Sequence, residues 1–164
     1  MVYMVYIGID PGLDGALAVS DSPGNLRVLD TPTLIVAGKK NRRDYDIPMM
    51  CDYLTKAMVS PPAYCRVGIE SVHSMPDQGV ASSFNFGKGF GIWLGLVVAL
   101  KMPYDLIIPQ RWKKVMLDGM GKEKDASRLR AQQLFPTSEL SLKKHHGRAD
   151  ALLIMEFLRR QCSQ

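Results

Sequence analysis

Three acids and a histidine carry the chemistry open to this sequence. Asp10 ends the apolar run Tyr6-Ile7-Gly8-Ile9 and is followed by Pro11-Gly12. Glu70 ends a second apolar run, Val67-Gly68-Ile69. Each reads as a carboxylate placed where a strand leaves a sheet, a rigid mount for a metal ligand or a general base. His146 and Asp150 stand four residues apart at the start of the last apolar-periodic stretch, so one helix face carries both. Taken singly, each has a plainer account. Asp10 or Glu70 could merely cap a turn or meet a surface lysine, His146 could be a surface cap, and Asp150 could sit in a helix first turn where the dipole favours it. Taken together, carboxylates at neighbouring strand ends repel unless a cation or a shared proton lies between them. Hard oxygen donors favour Mg²⁺ or Mn²⁺ over zinc. Three acids and a histidine around two Mg²⁺ ions suit phosphodiester hydrolysis, one ion activating water and the other stabilising the leaving 3′-oxygen. His146 would bind the second ion or orient the water, and both roles stay open.

The elements that position these residues follow from apolar periodicity and turn chemistry. Strands are predicted over Val2–Asp10, Gly15–Ser20 and Leu26–Thr31, the last two joined by Ser22-Pro23-Gly24-Asn25. Pro32 ends this meander, and the segment to Asp46 reads as a basic loop. Asp46 caps a helix with Pro48 near its first turn, running to about Val59 before Ser60-Pro61-Pro62. A fourth strand over Cys65–Glu70 leads through a polar loop, Ser71–Gln78, into a long glycine-bearing helix, Val80–Leu100. Then come a strand at Tyr104–Ile108, a short basic helix at Pro109–Leu117, a helix at Asp125–Phe135 and a last helix at Gly147–Cys162. A meander followed by βα alternation gives an α/β architecture: a mixed five-stranded sheet, three strands antiparallel plus two parallel, with helices on both faces. That order resembles the ribonuclease-H-like fold, in which the first and fourth strands are neighbours. Asp10 and Glu70 would then sit side by side.

The chain of 164 residues is read as one domain, 1–164, long enough to bury a sizeable core. At 46% hydrophobic and 23% charged residues it should be globular and soluble. Twenty-one Lys and Arg against 16 acids leave a net charge of +5, which favours a phosphate-bearing partner without requiring one. The positive charge falls in four clusters: Lys39-Lys40-Asn41-Arg42-Arg43, Arg111-Trp112-Lys113-Lys114, Lys122 with Lys124, and Lys143-Lys144. Any one of them is most simply a solvated face. Four in loops or at helix ends fit a polyanion, and the Asn and Arg side chains of the first can bond base edges in bidentate fashion. Tyr45 and Trp112 are candidates to stack on a base, with core packing the simpler account. Cys51, Cys65 and Cys162, odd in number and without CxxC spacing, read as reduced thiols of an intracellular protein. The start lacks the basic region of a signal peptide. The longest apolar stretch, 89–100, is too short and glycine-broken to span a bilayer, so no membrane partner is expected.

The segments Ile7-Gly8-Ile9-Asp10-Pro11-Gly12, Gly68-Ile69-Glu70-Ser71 and Ala149-Asp150-Ala151-Leu152 stand in the order and spacing of the RuvC-type Holliday junction resolvases. The chain resembles that family over essentially its whole length. Lys113 and Lys124 flank Gly119 and Gly121 as two basic residues flank the family's Gly-x-Gly. The segment 81–91 resembles the one leading into the helix that builds the family's dimer face. The plastid branch, the monokaryotic-chloroplast resolvases with their bacterial and phage relatives, is more similar still. It carries a histidine four residues before the last acid, as His146 precedes Asp150. It also has a basic loop tied to base recognition, here Asn41 to Asp46, which adds Asp44 to the candidate DNA contacts Lys39, Lys40, Asn41, Arg42, Arg43, Lys113, Lys114, Lys122, Lys124 and Lys143. The resemblance implies a homodimer that nicks two opposing strands of a four-way DNA junction symmetrically, near cytosine-containing sites. Asp10, Glu70, His146 and Asp150 would be its catalytic and metal-holding residues, with two Mg²⁺ per site and Mn²⁺ able to substitute. It implies the plastid stroma or nucleoid if a transit peptide has been removed, and otherwise the bacterial cytoplasm.

Two positions depart from the pattern. Gly147 stands where many bacterial members have the first Asp of Asp-x-x-Asp, so His146 must take over its function. His73 stands where they place an aromatic three residues after the strand-four acid, which speaks against a wedge role there. Other readings are an actin-like nucleotide-binding domain, a ribonuclease-H-like nuclease acting on RNA, and a non-catalytic DNA-binding module. The actin-like reading draws on Asp10-Pro11-Gly12 with Gly15 but needs two such domains. RNA-maturation members are shorter and lack the long basic region. A non-catalytic module would find three acids a hindrance, because unpaired acids near phosphate weaken binding.

Overall fold

The computed structural model describes residues 3–22, 24–58, 61–71, 79–121, 123 and 125–162. Val5–Asp10 (β1), Ala16–Ser22 (β2) and Asn25–Asp30 (β3) form an antiparallel meander in which Asp10 faces Ala16 and Ala16 faces Asp30. Gly24 makes the second turn at a φ of +82°, the left-handed region open to glycine. Thr33–Val36 (β4) and Arg42–Tyr45 (β5) pair as a separate two-stranded sheet. The segment expected as a basic loop is thus a hairpin. The β-branched Thr33, Ile35 and Val36 form one arm, and Lys39, Lys40 and Asn41 lie in the connection. Ile47–Ala57 (α1) follows, and the Asp46 side chain accepts a hydrogen bond from the Met49 amide at 3.1 Å, as its N-cap position predicts.

Cys65–Glu70 (β6) runs parallel to β1, with Gly8 beside Gly68 and Ile9 beside Ile69. Val80–Ala99 (α2), Tyr104–Ile107 (β7), Pro109–Met116 (α3), Ala126–Leu134 (α4) and His146–Cys162 (α5) complete the chain. Short 3-10 turns at Pro62–Tyr64 and Lys143–His145 were not anticipated by the sequence reading. The main sheet has the order β3-β2-β1-β6-β7, so the first strand and the strand bearing Glu70 are neighbours.

Strand alternation divides the core between the two faces. Ile7, Ile9, Val67 and Ile69 pack with Met50 and Leu54 of α1 and Trp93 and Val97 of α2. The other face takes Ala16, Ala18 and Ile107 with Trp112 and Met116 of α3 and the buried side of α5 from Ala149 to Leu158. Gly8 lies on this second face. A β-carbon there would stand 2.2 Å from the Ala151 carbonyl oxygen and 2.4 Å from the Met155 amide, so α5 rests on β1 backbone to backbone. The opposite side of α2 stays in solvent: Val80, Phe84, Gly87, Gly91, Gly95 and Val98 follow helical spacing along it, and all are exposed. The three cysteines are free. Among the described residues no helix is long and apolar enough to cross a membrane.

Candidate active site

Two parallel strand ends and one helix start deliver the three acids. Asp10 closes β1 and accepts a hydrogen bond at Oδ1 from the Gly12 amide at 3.3 Å. Glu70 closes β6, is buried, and accepts one at Oε1 from Trp112 Nε1 at 2.9 Å. Asp150 lies in the second turn of α5, which the bare backbone at Gly8 allows onto β1. A second close approach fixes the start of that helix. A β-carbon at Gly147 would stand 2.0 Å from the Asp14 carbonyl oxygen and 2.7 Å from Gly15 Cα. No side chain fits at 147 while α5 touches this loop, which gives a physical reason for the glycine at this position. His146, one residue earlier, lines the cleft instead.

The acids feel one another. Asp10 is pushed up to about 8, first by burial and then by the charges of Asp150 and Glu70. Burial also raises Glu70, with Asp150 adding to the rise and the Trp112 hydrogen bond and Lys113 opposing it. Burial raises Asp150 as well, against a hydrogen bond from Ser127 and the charges of Lys113 and His146. Among the described residues, Lys113 is the lysine whose charge acts on all three. Asp150 Oδ1 is buried with no hydrogen-bond partner, an unusual state for a carboxylate oxygen. Among the described residues no group of three or more acidic, histidine or cysteine side chains is arranged so that it could hold a metal ion. The donor set nonetheless fits a hard divalent cation: three mutually repelling carboxylates, one with an orphaned oxygen, lose their conflict when positive charge enters between them.

Asp10, Asp150 and His146 line a cleft of about 410 Å³ with the loop 12–15, Tyr45, Asn85 and Phe86. A larger cavity of about 630 Å³ lies near the start of β1 and the end of α4. It holds none of the three acids; the smaller cleft is lined by Asp10 and Asp150, and Glu70 is not among its lining residues. His146 is half-exposed, with Nε2 3.9 Å from Asp125 Oδ1; Asp125 is itself bound by Arg128.

Three consecutive hairpin residues fasten β5 to the cleft. Arg43 Nη2 donates to the Leu13 carbonyl and to Asp14 Oδ1, both at 2.8 Å. Asp44 pairs with Lys88 of α2. The buried Tyr45 hydroxyl lies 2.9 Å from the Asn85 carbonyl oxygen and 3.3 Å from that of Pro11. Tyr45 and Trp112 are therefore core residues, not exposed stacking platforms. Lys39, Lys40, Asn41 and Arg42 stand exposed at the hairpin end, Lys113 and Lys114 on α3, and Lys143 in the turn before α5. Lys122, Lys124 and His73 lie outside the described residues. Sequence reasoning missed Trp112 as a partner of Glu70, Ser127 as a partner of Asp150, and Lys88 as a partner of Asp44. Only the Trp112 bond had a hint: an aromatic with an N–H on the inward face of a basic helix.

No protein-family model matches the chain. A stretch of 82 residues, 49% of the chain, is 38% identical to Holliday junction resolvase MOC1, chloroplastic, of Chlamydomonas reinhardtii, and the match covers 9% of that protein's length. Among solved structures, Thermus thermophilus RuvC in complex with Holliday junction substrate aligns with a TM-score of 0.60 at 16% identity, covering 97% of this chain and 96% of that one. A second Thermus thermophilus RuvC structure aligns with a TM-score of 0.56 at 18% identity, covering 97% of each chain. The fold is the ribonuclease-H-like fold of RuvC, and both comparisons meet the resemblance to RuvC-type resolvases read from the sequence.

Proposed function

We propose that this chain is a Mg²⁺-dependent endonuclease that cuts four-way DNA junctions, hydrolysing phosphodiester bonds in two opposing strands. The observation that carries the reading is the crowding of Asp10, Glu70 and Asp150, with Asp10 pushed up to about 8 and Asp150 Oδ1 left without a partner. The similarity to a plastid junction resolvase and the shared RuvC fold support the branched DNA substrate. Residues 1–164 act as one nuclease domain, in the plastid stroma or nucleoid if the algal relative is the guide and in a bacterial cytoplasm otherwise.

Asp10, Glu70 and Asp150 would hold the cations, with His146 either a further ligand or the group that orients water. Two Mg²⁺ ions, replaceable by Mn²⁺, would supply water activation and stabilise charge on the leaving 3′-oxygen. The chain's own groups do the rest. Lys113 brings fixed positive charge to the acid cluster, where the scissile phosphate must enter against negative side chains. The lysines at 39, 40, 113, 114, 122, 124 and 143 grip backbone phosphates, which positions the junction without reading sequence. Asn41, Arg42, Arg43 and Asp44 at the hairpin give the preference for cytosine-containing sites. Arg43 and Asp44 are held against the cleft and α2, so base contacts there are tied mechanically to the loop that follows Asp10.

Symmetric cleavage needs two active sites, and the exposed stripe of α2 is the proposed homodimer face. The test is a mobile four-way junction against linear duplex, each with Mg²⁺ and with EDTA. Paired nicks in opposing strands, only on the junction and only with metal, are expected. Cleavage of duplex at an equal rate, or turnover of ATP or RNA in its place, would overturn the assignment.

A further inference from the structure

We infer that Trp112 is a positioning residue that aims the Glu70 carboxylate at a divalent cation through its indole N–H. The inference rests on the metal-dependent reading of the site. Topology brings the two residues together. Glu70 is the last residue of β6 and stands beside Ile107 of β7, and the Ser71 amide bonds the Ile107 carbonyl at 2.8 Å. From there Pro109 opens α3, and Trp112 turns inward beneath the sheet end, fully buried. Its Nε1 meets Glu70 Oε1 at 2.9 Å across 42 residues of sequence.

The bond is specific to this tryptophan. Trp93 is equally buried on the other face of the sheet, and its Nε1 has no partner at all. The core of this protein therefore accepts a tryptophan without an acceptor, and the acceptor at Trp112 is a feature of the acid site. The chemistry of the donor suits the task. An indole offers one N–H, no acceptor and no charge. It occupies one oxygen of Glu70 and restricts a flexible side chain without neutralising it or competing with a cation for the site. Arg or Lys in its place would do both. Such outer partners fix the orientation of metal-binding groups, and losing one costs about 10–100-fold in metal affinity. The same ring also lies against a lysine whose charge acts on all three acids: Lys113 Nζ is 5.3 Å from its centroid.

The test is Mn²⁺ binding, measured by calorimetry on the full chain without DNA. Trp112→Phe keeps an aromatic ring beneath Lys113 and removes the N–H. A second form carries 3-benzothienylalanine at position 112 alone, the same bicyclic shape with sulfur in place of N–H, so loss of the bond is separated from loss of volume. Both are expected to bind Mn²⁺ about tenfold more weakly with unchanged circular dichroism. In a Glu70→Ala background, adding Trp112→Phe should change Mn²⁺ affinity by less than about twofold, because the bond has no target. Wild-type affinity in the benzothienyl form overturns the inference, as does an equal loss in the Glu70→Ala background, which would mean general packing. A wild-type chain that binds no Mn²⁺ overturns the metal-dependent reading itself, and this inference with it.

Discussion

Asp10 shows how one side chain can hold the conflict of a whole site. Its ordinary value is 3.8, and burial beside Asp150 and Glu70 pushes it up to about 8. The folded, metal-free protein therefore binds a proton here that the unfolded chain has released. The stability linked to that proton is fully present below the unfolded value and is lost as pH rises through the folded one. Glu70 and Asp150 are raised as well and act in the same direction. Melting curves in EDTA should fall in Tm between about pH 5 and pH 8.5, and added Mg²⁺ should restore more at the upper end than at the lower. Asp10→Asn removes its own share of this slope and raises the metal-free Tm at pH 8. The same variant should lose cleavage while keeping junction affinity in a gel-shift assay. A variant that still cuts at a normal rate would remove Asp10 from the active site.

At the level of elements, the acids were legible because each sits where a sequence pattern changes period. Asp10 and Glu70 end apolar strand runs, and Asp150 opens the buried stripe from Ala151 to Leu158. The strand order followed from the meander and the βα alternation. The β4–β5 hairpin was not legible, because the charged run Lys39–Arg43 outweighs the four-residue strand Thr33–Val36 in any local reading. For the Trp112–Glu70 bond the local pattern offered only an inward-facing N–H donor and not its acceptor, since tertiary packing alone brings together residues 42 apart.

The same contrast makes predictions about elements. Gly8→Ala places a methyl group 2.2 Å from the Ala151 carbonyl oxygen, and α5 must lift from β1. A loss of about 1–3 kcal/mol or more is expected in urea unfolding, with weaker Mn²⁺ binding as Asp150 is displaced. Gly87→Ala, with open space around the new methyl, should not disturb the fold of the monomer. On the hairpin, Arg42→Ala should shift the cut-site pattern and leave the rate at the best site close to normal, because Arg42 is exposed. Arg43→Ala should both shift the pattern and slow cutting, because it also frees Leu13 and Asp14. Mapping cut positions on a mobile junction separates the two, and an unchanged pattern in both would end the base-reading role.

For the whole molecule, the question is why one face of α2 is built as it is. Val80, Phe84, Gly87, Gly91, Gly95 and Val98 share that face, and Phe84 keeps 69% of its surface in water. Each interior glycine costs a helix about 0.5–1 kcal/mol relative to alanine, and among the described residues, the helix's own adjacent backbone aside, nothing lies within 4 Å of a β-carbon built at Gly87, Gly91 or Gly95. A monomer gains nothing from such a stripe. A dimer does, because bare glycine backbone lets a helix of a second copy approach closely while Phe84 and Val98 leave water. In a monomer, then, Gly91→Ala should raise stability by up to about 1 kcal/mol; in an α2-mediated dimer it should weaken association instead. Gly91→Leu should go further: light scattering is expected to give a folded monomer for the variant and a dimer for the unsubstituted chain at the same concentration. That monomer should retain Mn²⁺ binding, since its acids lie on β1, β6 and α5, away from the substituted face. On a four-way junction it should leave single nicks in place of paired cuts, because one chain carries one cluster of acids. A Gly91→Leu protein that stays dimeric and still cuts both strands together would place the dimer contact on another face.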